Sequence, residues 1–438
     1  MSKEKKHSTP ESLLPRSPSF WENAMQRFRQ NRLARFSMGI VWFLIFVAVF
    51  ADFLAYDKPL YAVHKGTTYF PLFCDYLSDL GLYQWDAELI NADWDELELE
   101  SSVWPPVRYS PTSLDYKNAQ RVSPFDEQRV ENWKFWHFLG TDRDGRDVLS
   151  GLIHGTRISL SVGLVSMSIA CFIGLLMGAF AGYFGDRRIR MSRIGIFLML
   201  LGMVLGFFYG FQVRSYVLSE ALASGFLPLV FQLFISVIIF VGVTTLFVLF
   251  SRLFSKVPWL NEKKYIWVDI IISRIIEIVS SIPALLLIIT IAGLMEQGSI
   301  FMVMMVIGII GWPGIARFTR GEMLRIRNQE YIEAARSMGY SELRIIFRHA
   351  LPNAIAPVLV VIAFGVAGAI LTESTLSFLS IGVPESTVTW GSLLNEARGD
   401  ISAWWLAIFP GFAIFVTVTV FNLIGDALRD ALDPKLKE

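Results

Sequence analysis

A helix that crosses the ~30 Å hydrocarbon layer of a membrane needs about 20 largely apolar residues, and lipid offers no partner to an unpaired backbone group. Eight stretches of this 438-residue chain meet that demand: 36–56, 157–183, 193–213, 226–250, 266–294, 300–319, 354–372 and 404–425. Composition agrees, with 53% hydrophobic and only 18% charged residues, a more apolar balance than soluble domains carry. An all-α integral membrane protein is therefore expected. The formal net charge is 0, so nothing in the global balance calls for a nucleic-acid partner. Cys74 falls in a polar loop and Cys171 in an apolar span, so no disulfide is expected between them.

Short loops decide sidedness, because Lys and Arg resist translocation there, whereas loops beyond ~60 residues carry little information. That discounts segment 57–156. One set of short loops holds Arg187, Arg188, Arg190 and Arg193, then Arg252, Lys256, Lys263 and Lys264, then an arginine-rich stretch at 328–352; the opposite set holds only Arg214 and Arg398. The charge bias places the N-terminal tail (1–35), the stretch 328–352 and the C-terminal tail (428–438) in the cytoplasm, and 57–156 outside. The tail 1–35 is too long and basic for an ordinary signal, so 36–56 reads as a retained signal-anchor helix.

The outer segment, with its run "DWDELELESSVWPPVRYSPTSLDY", has no long apolar periodicity. It reads either as a small irregular cap or as a solvated acidic loop; its acidity suits a cationic substrate or a docking protein, and the run alone does not choose. Gly174, Gly178 and Gly182 in one span, and Gly202, Gly206 and Gly210 in the next, strip one helix face bare at four-residue spacing. Such stripes let helices approach closely in lipid, within the chain or against another subunit.

The stretch "EYIEAARSMGYSELRIIFRHALPN", residues 330–353, is polar and helical between apolar spans. Its alanines favour a helix that Gly339 ends in the left-handed conformation. Ser341 then caps a second helix with Glu342 in its first turn. Leu343, Ile346, Phe347 and Ala350 form its apolar face, Arg344 and Arg348 oppose it, and Pro352 stops it. By pattern alone this is either a hairpin standing in the cytoplasm or an interfacial helix whose arginines meet lipid phosphates.

The spacing of Glu333-Ala334-Ala335, Gly339 and Leu351-Pro352 resembles the cytoplasmic signature of permease subunits of ATP-binding-cassette (ABC) importers, although His349 stands where isoleucine is usual. "GTDRDGRDVLSGLIHGTRISLSVGL" (140–164), "LSFLSIGVPESTVTWGSLL" (376–394) and "FNLIGDALRDALDPKLK" (421–437) are similar to the dipeptide, oligopeptide and nickel branch, with Gly151 in place of a usual arginine. "YDKPLYAVHKGTTYFPL" and "WPPVRYSPTSLDY" are similar to a subgroup with an enlarged outer segment that takes up peptides. The resemblance covers 20–60 and 104–438, apart from 189–264. It implies a type I ABC importer permease fold of six core spans plus two inserted spans: an insertion at 184–265 whose helices pack peripherally, and a permease core at 266–427.

The resemblance implies a bacterial inner-membrane permease subunit for short peptides or peptide-like solutes. Expected partners are a second permease subunit, one or two ABC ATPase subunits, an extracytoplasmic solute-binding protein and membrane lipid. The hairpin 328–352 would dock into the ATPase, with Glu333, Ala334, Ala335, Gly339, Leu351 and Pro352 as coupling residues. Pro283, Gly311, Trp312 and Pro313 are candidate helix breaks, and Glu373 a candidate intramembrane charge, along the pathway; Arg274 and Glu277 are placed to pair on one helix face. The chain lacks any Gly-Lys dipeptide, hence any phosphate loop, and its five histidines form no metal motif. No catalytic, metal or cofactor site is expected in it; ATP and Mg belong to the partner ATPase. A nickel or other small-solute importer, a secondary transporter, and a scaffold whose hairpin binds a cytosolic protein are the alternatives.

Overall fold

The computed structural model describes residues 20–86, 88–90, 92–186, 188–254, 259, 261–293, 298–384 and 386–432. The tail before Phe20, Arg187, Lys256, the end of the expected fifth span at Leu294 and the tail from Asp433 lie outside the described residues. Helix α1 (Phe20–Gln30) meets α2 (Arg32–Val49) at Asn31, whose side chain caps α2 by accepting from the Leu33 and Ala34 N–H groups at 2.9 and 3.2 Å. One further turn, α3 (Ala51–Leu54), leads into a folded cap.

The cap holds β1 (Tyr61–His64), β2 (Thr67–Tyr69), α4 (Pro71–Asp79) and β3 (Ser101–Val103), in an antiparallel sheet of order β2-β1-β3 with Ala62 opposite Tyr69 and Tyr61 opposite Val103. Lys65 and Gly66, both at positive φ, make the two-residue turn between β1 and β2. Ala62, Leu89 and Trp94 are buried among Tyr69, Trp85 and Trp104. The cap reading thus holds over the loop reading: the aromatics scattered through the acidic run are its core.

Helix α5 (Val148–Phe184) starts nine residues before the expected boundary at 157, because Asp147 caps it by accepting from the Ser150 N–H at 2.7 Å. At 1.5 Å per residue its 37 residues span roughly 55 Å, so it runs well past the membrane into the cap. The chain continues through β4 (Arg190–Ser192), α6 (Arg193–Phe207) with a wide turn to Gln212, α7 (Ser215–Ser224), α8 (Phe226–Phe250) and β5 (Lys263–Tyr265). The core resumes with α9 (Val268–Ser281) and α10 (Ala284–Gly293), bent by 76° at the break before Pro283 and Ala284. It ends with α11 (Ile300–Ile326), α12 (Glu330–Ser337), α13 (Glu342–Ile345), α14 (Leu351–Phe378), α15 (Trp390–Ala397) and α16 (Trp404–Leu432). Among the described residues seven helices are long and apolar enough to cross a membrane, eight if the bent pair is one span. It is one span topologically: β5 lies at the hairpin end, whereas Gly298 approaches Gly382 beyond the far end of α14. Both described termini then lie at the hairpin end.

The first glycine stripe is an intrachain seam. A Cβ added at Gly174, Gly178 or Gly182 would lie 2.7 Å from Ile315 Cβ, 2.5 Å from the Ala316 carbonyl or 2.5 Å from the Arg320 carbonyl, all on α11. Pro313, Pro357 and Pro410 sit inside unbroken helices. The expectation that Gly311, Trp312 and Pro313 break α11 is therefore corrected: Trp312 and Pro313 are buried in the bundle, whose packing holds the helix through the missing hydrogen bond. Pro283 does mark a break.

The second stripe packs α6 on α8, where Gly206 and Gly210 each place a notional Cβ 2.8 Å from the Phe240 and Ser236 carbonyls. The stem of this insertion is a ribbon in which Arg190, Met191 and Ser192 pair with Tyr265, Lys264 and Lys263, extended by the Arg193 N–H donating to Glu262 O at 3.1 Å. Two outcomes are expected. Gly178→Val forces α5 and α11 apart and costs about 1–3 kcal/mol, seen as a lower unfolding temperature of the purified protein, whereas Gly39→Ala, with open space at its Cβ, is neutral. Replacing 194–261 by Asn-Gly closes the ribbon with a two-residue turn and leaves a membrane-inserted, proteolysis-resistant core; loss of that core would refute peripheral packing.

Candidate functional site

The candidate hairpin forms as its punctuation dictates. Helix α12 ends at Met338, Gly339 takes φ +80°, and the Gly339 and Tyr340 N–H groups donate to Arg336 O and Ala335 O at 2.9 and 3.3 Å. Ser341 Oγ then caps α13 by accepting from the Arg344 N–H at 3.4 Å. The stop expected at Pro352 does not occur. Residues Ile346–Ala350 form one wide π turn and Pro352 falls in the first turn of α14, where its missing N–H is least needed. The His349 carbonyl also accepts from Asn353 Nδ2 at 2.8 Å. The second hairpin helix is therefore the near end of a membrane span.

The expected apolar face is corrected as well. Ile346 and Ala350 are buried together with Ile345, while Leu343 and Phe347 are exposed by 54% and 45%. The buried face joins Ile332, Ala335, Ile345, Ile346, Ala350 and Ala354 to Ala179 and Tyr183 of α5 and to Met323 and Ile326 of α11. Of the six coupling candidates, Ala335 points into this cluster and Leu351 packs against it, whereas Glu333, Ala334, Gly339 and Pro352 face outward. Tyr331, Met338, Leu343 and Phe347 make the outward surface apolar as well.

A polar lock fastens the hairpin to the bundle. The Tyr183 hydroxyl donates to Glu342, Arg336 Nη2 donates to Tyr183 Oη at 3.3 Å, and Arg336 Nε lies 3.3 Å from Glu342 Oε1. Arg188 stacks over the Tyr183 ring at 5.1 Å, and Arg327 Nη1 donates to Gly182 O at 3.0 Å. Sequence reasoning missed Tyr183 and Arg336; the signal was a tyrosine ending an otherwise apolar span beside an arginine-rich hairpin.

A groove of about 540 Å³ opens between α5, α10, α11 and α14. Its floor includes Gly311, Gly314, Gly365 and Gly368, and its polar groups are Thr372 and Thr375, whose hydroxyls donate to carbonyls of their own helix at 2.8 and 2.7 Å. Of the five pathway candidates Gly311 lines it, and Pro283 sets the bend beside its wall residue Ala284. Trp312 and Pro313 turn inward from it. Glu373 is wholly buried on another face of α14, accepting from Ser377 at 2.7 Å and Ser374 at 3.4 Å, so it braces that helix rather than meeting the groove. Arg274 and Glu277 pair at 2.5 Å on exposed α9.

At the opposite end, His137 is buried between Asp147 (2.9 Å from Nδ1) and Asp115 (3.3 Å from Nε2), tying the cap to α5. Burial pushes the Asp115 carboxyl up, but the Asn118 and His137 hydrogen bonds outweigh it and hold it below the usual range. Trp390 and Trp405 indoles donate to Leu152 O and Thr141 O, each at 3.0 Å, and fix the near ends of α15 and α16 there.

Residues 259–438 match the model of the family described as binding-protein-dependent transport system inner membrane component, and 19–67 match the N-terminal membrane domain of oligopeptide transport permease C. The chain is similar to the peptidoglycan transport system permease of Agrobacterium fabrum, 26% identical over 96% of this chain and 93% of that one. It is 31% identical to the glutathione transport system permease of Pectobacterium atrosepticum, over 73% and 82% of the two chains. The dipeptide transport system permease of Alkalihalophilus pseudofirmus is 30% identical over 74% and 79%.

The lock is testable without knowing a substrate. Tyr183→Phe and Glu342→Gln each speed amide hydrogen exchange across 330–345, and the double variant is no faster than the worse single one, giving a coupling of about 0.5–3 kcal/mol. Strict additivity would show that the three groups do not act as a unit.

Proposed function

Because the chain belongs to the family of binding-protein-dependent transport inner membrane components, whose members are permease subunits that do not themselves hydrolyse ATP, we propose that it forms half of the pathway of an ATP-driven importer of short peptides or peptide-like solutes. The relatives named for dipeptide, oligopeptide, glutathione and peptidoglycan transport support the substrate class. In this reading a second permease subunit closes the glycine-floored groove, ATPase subunits carry ATP and Mg, and a solute-binding protein delivers cargo to the cap. The hairpin end is cytoplasmic and the cap extracytoplasmic.

One observation carries the mechanism: the hairpin is continuous with α14, and α14 lines the groove. Force applied by an ATPase to the outward surface of Glu333, Ala334, Met338, Leu343 and Phe347 cannot be absorbed by folding the hairpin over, because Tyr183, Arg336, Glu342 and the buried cluster beneath hold it. It moves α14 instead, and with it Gly365, Gly368 and Thr372. The groove then changes shape as a two-state element biased from outside the membrane.

Gly339 separates coupling from folding. A Cβ there meets nothing within 4 Å, so the constraint is its φ of +80° alone. Gly339→Val strains the turn by about 1–3 kcal/mol and lowers ATP-dependent uptake of tri-alanine in proteoliposomes at least tenfold, with the chain still inserted. Gly339→Asn, which tolerates the left-handed conformation, retains most uptake. Normal uptake by the valine variant would sink the coupling role.

A further inference from the structure

The cap carries a half-open cleft of about 520 Å³, inside the ~300–1,000 Å³ range of small-molecule sites. Its walls carry six carboxylates (Asp57, Asp93, Asp95, Glu96, Asp115 and Glu131) and four basic side chains (Lys58, Arg108, Lys117 and Arg129). Several are already engaged by the fold. Lys58 pairs with Asp75 at 2.7 Å. Arg108 lies 3.6 Å from Asp95, with its guanidinium 4.4 Å from the Trp104 ring and 4.9 Å from that of Phe135. Asp115 is held by Asn118 and His137. Glu96 and Glu131 of one sign, and Lys117 and Arg129 of the other, form no ion pair among the described residues.

Two further features mark the cleft as unfinished. Burial and the neighbouring carboxylates Asp93, Glu131 and Asp57 push the Asp95 carboxyl up to about 6, against the pull of Arg108. Trp94, only 3% exposed, forms part of the wall, and its buried indole N–H meets no acceptor among the described residues. Buried donors are normally paired. One buried imidazole separates the cleft from a second: Asp115 shares His137 with Asp147, which lines a cleft of about 220 Å³ beside Ser377, Thr387 and Asn395.

We propose that this cap cleft binds a small solute bearing both an ammonium and a carboxylate group, such as a short peptide, and holds it outside the membrane before it enters the groove. An ammonium relieves the crowding of like charges around Asp95, Glu96 and Glu131. A carboxylate finds donors in Lys117 and Arg129, while Tyr109 and Phe135 supply apolar wall. Unpaired charges of both signs lining one half-open cleft fit a zwitterion. The inference rests on the import reading above.

The test uses the full chain, purified with its co-extracting partners in lipid nanodiscs without binding protein, and equilibrium binding of radiolabelled tri-alanine. Saturable binding is expected, at least tenfold weaker for N-acetyl-tri-alanine and for tri-alanine amide. Glu131→Gln removes the preference for a free amino end and Lys117→Gln that for a free carboxyl end; both positions are exposed, so both variants fold. Absence of saturable binding, or binding indifferent to end-blocking and to both variants, overturns the site. So do variants that weaken only attachment of the binding protein, which would make the cleft a docking surface. ATP-driven tri-alanine uptake, measured on the same preparation with binding protein added, separates the two readings. Uptake without cap binding overturns the holding site and leaves the importer; cap binding with no uptake of any peptide supports the site and overturns the importer.

Discussion

The close approach of α5 and α11 is the constraint from which the rest of this structure is hung. Lipid supplies no hydrophobic drive between helices, so contact must come from packing at short range. Gly174, Gly178 and Gly182 supply it by letting α11 come within 2.5–2.7 Å of where their side chains would begin. Both helices are long, and both ends of the seam are put to use. At one end Tyr183 and Met323 form the bed for the hairpin; at the other, α5 meets Trp390 and carries the Asp147 cap that His137 binds. The seam fixes the distance between cap and hairpin, so a displacement of α14 is measured against a rigid frame.

Against that frame α14 is held differently along its length. Near the hairpin it is clamped by Ile345, Ile346, Ala350 and Ala354 in the buried cluster. Near the cap it is braced by Glu373 with Ser374 and Ser377, and by Gly391, whose bare Cα lets α15 come against Ser374. Between them it is thinned by Gly365 and Gly368 on the groove side. Two anchored ends thus flank a slim middle on the groove side.

The sequence made the span pattern, the turn at Gly339 and the cap at Ser341 legible, because each rests on local chemistry: apolar length, positive φ and a side-chain acceptor. What it hid was relational. Pro352 reads as a stop until the wide turn before it is known, and Leu343 and Phe347 read as buried until the bed of α5 and α11 is seen to take Ile345, Ile346 and Ala350 instead. Pro313 reads as a break until Trp312 and Pro313 are seen packed in the bundle. Tyr183 is an ordinary span-end tyrosine until a hairpin 159 residues later brings Glu342 to it. The tryptophans of the cap were visible, but no periodicity announced that Trp85, Trp94 and Trp104 would meet.

The insertion shows how two membrane helices enter a chain without disturbing such a frame. Its own glycine stripe packs α6 on α8, and its ends return side by side through the ribbon of β4 and β5. The chain leaves and rejoins the core at one place, on one side of the membrane, so every later span keeps its direction. The stem is nevertheless not detached from the working parts. Arg188 lies over the Tyr183 ring, and Asp186 accepts the Ile270 N–H of α9 at 3.1 Å. A tilt of the inserted pair therefore reaches first the tyrosine that locks the hairpin and the helix whose bend borders the groove.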